Sequence, residues 1–132
     1  MPHDFDWYLL LGDATALPSI SRRLETLRID VPADVFLLVA DSEEQQDFVT
    51  NANCNVRWLA GSESSSDNAA ALRSALETFD LRAGDGFIWI AAEGHISRDL
   101  YSYFVEKRSH PKEWVKAAAY WTDPRLESRN PR

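Results

Sequence analysis

The stretch Trp7-Tyr8-Leu9-Leu10-Leu11-Gly12-Asp13-Ala14-Thr15-Ala16-Leu17-Pro18 decides how this chain folds. Its first five residues are apolar without alternation, the pattern of a strand covered on both faces. Gly12 ends that run, and helical spacing takes over from about Ala16 to Leu27, with Leu17, Ile20, Leu24 and Leu27 on one side. A buried strand that passes through Gly into Thr-Ala-Leu-Pro and then a helix offers backbone N–H groups and a positive helix end to a phosphate. The pattern therefore points to an anionic nucleotide. The same residues also serve a plain turn, in which Asp13 or Thr15 caps the helix and Pro18 sits in its first turn.

Outward from this stretch, apolar runs alternate with helical periods. Strands are expected at 34–40, 56–60, 87–92 and 115–120, and the run Val35-Phe36-Leu37-Leu38-Val39 is apolar enough to predict a central strand. Helices are expected at 41–48, 68–79 and 96–108, with Gly61 to Ser66 flexible by composition. The polar tail from Thr122 to Arg132 carries two prolines, Pro124 and Pro131, and is expected to be irregular. Together these features predict one α/β domain over residues 1–132, a doubly wound, mostly parallel five-stranded sheet with helices on both faces. Ligands of such a sheet gather at the carboxyl ends of the strands, here Gly12-Asp13, Asp41, Ala60-Gly61, Ala92-Glu93 and Tyr120-Trp121.

Three of these ends carry motifs. Read in order, G-D-x-T-A-L-P at Gly12 to Pro18, W-I-A-A-E at Trp89 to Glu93 and A-Y-W at Ala119 to Trp121 resemble the C-terminal nicotinamide-nucleotide domain of the siderophore-interacting proteins. Those are ferredoxin-reductase-like flavoenzymes that reduce ferric siderophores, and the resemblance runs from about Asp6 to Trp121. It implies a Rossmann-like site for NADH or NADPH and a part in iron acquisition. Gly12, Asp13, Thr15, Ala16, Leu17 and Pro18 would lie under the pyrophosphate and ribose, with Thr15 donating its hydroxyl and small residues admitting the ligand. Asp41, Ala92, Glu93, Tyr120 and Trp121 would complete the cofactor site. The family's flavin motif R-x-Y-[ST] occurs nowhere in the sequence, so FAD would come only from a partner or from a domain outside this chain.

The family's patterns also break in three places. A-G-E becomes Ala91-Ala92-Glu93, adding a methyl where the ring would lie. W-L-x-R becomes Trp58-Leu59-Ala60-Gly61, which removes the guanidinium that suits an adenosine 2′-phosphate. Y-W-R becomes Tyr120-Trp121-Thr122, with Arg125 three residues on, which weakens a basic cluster for an anionic ferric siderophore. The reading is thus the NAD(P)H-binding half of a flavin-dependent ferric-siderophore reductase, not active alone. Its alternative is a non-catalytic binding or interaction module derived from that domain.

Composition narrows the remaining classes. The formal net charge of −7 disfavours nucleic acid and anionic lipid, and no apolar run approaches the length of a membrane span. A cytoplasmic location is expected, since the N-terminus lacks the order of a signal peptide. The lone Cys54 is expected in a loop or on the surface, and the histidines His3, His95 and His110, having no ligand spacing, read as exposed or capping imidazoles. Charge is uneven: 6 basic and 16 acidic residues lie within 1–97, against 8 and 5 within 98–132. Two readings stay open for the basic part: solvated helix faces, or a surround for an anion formed by Arg98, Lys107, Arg108, Lys112 and Lys116.

Overall fold

The computed structural model describes residues 4–122. Five strands, β1 (Trp7–Asp13), β2 (Pro32–Val39), β3 (Asn53–Ala60), β4 (Gly86–Glu93) and β5 (Val115–Trp121), form one sheet in the order β3-β2-β1-β4-β5. Every pairing is parallel. Helix α1 (Leu17–Thr26) covers one face, where Ile20 and Leu24 pack with Leu10, Val35, Leu37 and Trp89. Helices α2 (Ser65–Glu77) and α3 (Gly94–Ser102) cover the other, with Leu72, Leu76, Ile96 and Leu100 against Leu9, Leu11, Phe36 and Ile90. The doubly wound α/β architecture follows from strands that are apolar on both sides and so require two layers of helix.

Several local expectations give way to more specific chemistry. The strand at Pro32–Val39 lies in the interior of the sheet, but the middle position belongs to β1. Both are mostly apolar, Asp13 and Asp34 apart, and order within a sheet is set by pairing that a strand's own composition does not encode. The helix expected over 41–48 shrinks to a single turn, Ser42–Glu44. Asp41 accepts from the Glu43 amide at 2.9 Å, and Glu44 reaches back to the Ala40 and Asp41 amides, a closed box with no apolar stripe beyond it to continue the helix. The stretch expected to be flexible is pinned: Asn68 bonds the amide and carbonyl of Ser62, and Ser64 caps α2, which therefore starts at Ser65.

The last helix does not run regularly to Arg108. It widens to a π turn over Tyr103–Lys107, where Arg108 donates to the carbonyls of Leu76 and Phe79 at 3.1 Å and to the Tyr103 hydroxyl at 3.0 Å. The bend lets one guanidinium close the carboxyl end of α2. Arg108 is thus structural, and Lys112 lies in the turn before β5, at the opposite end of the sheet from Arg98 near the start of α3. The basic residues do not converge on one anion site. Cys54 lies within β3, half-buried beneath Phe48 and Trp58. Burial, with the Asp34 charge adding to it, pushes its thiol pKa up. The tail expected to be irregular from Thr122 lies, beyond Thr122 itself, outside the described residues.

Candidate functional site

The carboxyl ends of β1, β4 and β5 meet at one carboxylate. Asp13 Oδ1 accepts from both the amide and the hydroxyl of Thr15, capping the short turn Ala14–Ala16. Its Oδ2 accepts from the Glu93 amide at 3.0 Å and from the Trp121 indole Nε1 at 3.0 Å. Four donors from three strand ends suit an ionised carboxylate, which accepts on both oxygens.

Glu93 lies next to this node and is itself 0% exposed. Its Oε1 accepts the amides of His95 and Ile96 at 3.0 and 3.2 Å, capping α3, while Oε2 lies 2.8 Å from His95 Nδ1. Helix amides and an imidazole together offset the cost of burying the acid. Ser97, also buried, donates toward the carbonyls of Ala92 and Ala118, so α3 is stitched to both β4 and β5. A groove of about 360 Å³ between α3 and β5, lined by Arg98, Tyr101, Ala117 and Ala119, opens beside it.

The structure brings Gly12, Asp13, Thr15, Glu93 and Trp121 together and gives several of them structural contacts of their own. Gly12 is small because a Cβ there would lie 2.6 Å from the Ala91 carbonyl oxygen and 2.9 Å from Ile20 Cδ1, so its size is dictated by β4 and α1. The Thr15 hydroxyl is directed to Asp13. The Ala92 methyl is fully buried, in the cluster that Ile96 and Leu100 of α3 join. Glu93 takes the capping role. Ala16 caps α1 through its backbone only, and Leu17 and Pro18 form the first turn. Asp41, at the end of β2, is occupied with its own turn. Tyr120 stands edge-on to Trp89 with ring centroids 6.2 Å apart, and Tyr120 and Trp121 remain 38% and 40% exposed. His95, expected as an exposed or capping imidazole, is half-buried against Glu93, and it is the Glu93 carboxylate that caps the helix.

An all-parallel sheet with a polar cluster at the carboxyl ends of its strands defines a doubly wound α/β domain with its candidate site in the usual crevice. The chain belongs to the siderophore-interacting protein family, whose profile matches residues 5–124. It is 33% identical over 124 residues to the NADPH-dependent ferric-chelate reductase of Escherichia coli K12, a match covering 92% of this chain and 46% of that protein. Among solved structures, a siderophore utilization protein from T. fusca superposes with a TM-score of 0.79 at 28% identity, covering 92% of this chain and 47% of that one. The siderophore-interacting protein SipS from Aeromonas hydrophila gives 0.78 at 25% identity, covering 95% and 50%. The chain therefore spans about half the length of each of these three proteins. No helix among the described residues is long and apolar enough to cross a membrane.

Proposed function

We propose that this domain, residues 1–132, is the pyridine-nucleotide half of a ferric-siderophore reductase. The carrying observation is the convergence of β1, β4 and β5 on Asp13, which leaves two half-exposed aromatic rings beside the start of a helix. No side chain caps helix α1, whose positive end favours an anion, and the Tyr120 and Trp121 rings offer apolar surface to a planar ring. The residues fit a dinucleotide on these grounds, with Ala16 to Pro18 near the phosphates and Tyr120 and Trp121 near the ring. NADH or NADPH would supply a hydride to a flavin held by another domain or chain, for onward reduction of a ferric siderophore. The protein's own contribution is orientation and exclusion of water.

Asp41, Glu43 and Glu44 stand at the end of β2, and Ala60-Gly61 close β3 without a cation. This acidic rim disfavours a 2′-phosphate dianion, so NADH is the expected ligand even though the Escherichia coli relative is named for NADPH. Titration calorimetry should give NADH an affinity at least equal to that of NADPH. A tenfold preference for NADPH, about 1.4 kcal/mol, overturns this choice of nucleotide. Binding of neither overturns the nucleotide reading itself. The second reading, a binding module without turnover, is favoured by the commitment of both Thr15 donors to Asp13. Addition of the flavin domain of a family member separates the two: ferric-chelate reduction from NADH supports the reductase, and nucleotide binding without reduction supports the module.

A further inference from the structure

The contacts of Asp13 lead beyond the phosphate loop to the aromatic residue that ends β5. In an unbroken register the pair Ala92 and Ala119 would be followed by Glu93 and Tyr120. Instead Glu93 stands opposite Trp121, with Tyr120 the extra residue of a bulge. Bulges re-aim side chains, and this one carries Trp121 to the level at which its indole N–H and the Glu93 amide reach the same oxygen of Asp13. The other oxygen of Asp13 is held by Thr15. The carboxylate therefore cannot turn toward a new partner without giving up contacts to three strand ends. Trp121 has the opposite character: it lies on an edge strand, is 40% exposed, and its indole N–H is held by Asp13. An exposed ring on an open edge samples several rotamers unless something fixes it.

We propose that Asp13 is a positioning residue, whose carboxylate fixes the plane of the Trp121 indole as a preformed platform for the planar ring of the nucleotide and does not itself touch the pyrophosphate. This rests on the nucleotide reading given above. Charge argues the same way, since a carboxylate facing a pyrophosphate repels it, whereas a carboxylate accepting from an indole N–H forms a charge-assisted bond. A ring held in place before binding also spares the ligand the cost of ordering it.

The test uses the 132-residue chain labelled with nitrogen-15, NADH as the probe, and the variants Asp13→Asn, Trp121→Phe and their combination. Trp121→Phe identifies the Trp121 signal among the five indole N–H resonances. Asp13→Asn, which preserves shape, should move that one signal and speed its exchange with solvent while the other four stay in place. NADH affinity should fall about fivefold in Asp13→Asn, and in the Trp121→Phe background the same change should have no further effect. An unmoved Trp121 signal, or losses that simply add in the double variant, overturns the proposal. Failure of the unmodified chain to bind NADH or NADPH overturns the nucleotide reading instead, and the indole signal then still decides whether Asp13 holds Trp121.

Discussion

Asp34 and Glu93 are both carboxylates withdrawn from water, at opposite ends of the same parallel sheet, and they are neutralised by different means. Asp34, 2% exposed near the start of β2, meets two guanidinium groups, Arg82 at 3.0 Å and Arg57 at 3.6 Å. Arg57 in turn lies over the rings of Phe36 and Phe79. Glu93 accepts from two backbone amides and lies against the imidazole of His95. Guanidinium groups keep their charge at every physiological pH and sit on long stems whose tips reach solvent; backbone amides are rigid, and an imidazole changes charge near neutrality. The amino end of the sheet thus carries a fixed electrostatic rivet. The carboxyl end, where ligands of this fold gather, instead holds its buried acid through the backbone at the start of α3.

The comparison breaks first at Glu93. Glu93→Ala removes the cap of α3, strands two amides and the His95 ring, and opens a cavity, so urea unfolding should show a loss of about 3 kcal/mol. A loss below about 1 kcal/mol would mean that the helix amides carry little of the burden assigned to the acid. Asp34→Asn should cost less, about 1 kcal/mol, because Arg57 and Arg82 have side chains 48% and 39% exposed and can return to water. Equal costs at the two sites would erase the distinction drawn between them. The smallest effect concerns Cys54, whose thiol pKa is raised by burial first and by the Asp34 charge second. Since the thiolate is the nucleophile, alkylation of Cys54 by iodoacetamide at pH 8 should be slow in the unmodified chain and about twofold faster in Asp34→Asn. An unchanged rate would leave desolvation as the only cause of the shift.

How much of this could be read from the chain alone depends on the range of the interaction. Runs such as Val35 to Val39 and Phe87 to Ala92 announce buried parallel strands because the signal lies in neighbouring residues, and the three motifs at the strand ends carry the family with them. What could not be read is which partner each polar group finds across the fold. Asp13 and Trp121 stand far apart in sequence, and nothing near either one announces a bond between them. The size of Gly12 is set by Ala91 and Ile20, which reach it from β4 and α1. The failed helix at 41–48 is the converse case, in which acidic residues suited to a helix start were spent on a closed turn with nothing apolar to extend it.

The position of β1 has a consequence for how the molecule is made. Tyr8 pairs with Ala33 on one side and with Phe87 on the other, and the second partner emerges from the ribosome long after the first. The early half of the chain can assemble β1, β2 and β3 with α1, but it does so with the free edge of β1 and the apolar side chains beside it facing solvent. Non-local parallel pairing of this kind is slow, because a long loop must close before any contact offsets its entropy. Until β4 arrives, a strand that ends up paired on both sides and buried along six of its seven residues offers an adhesive edge.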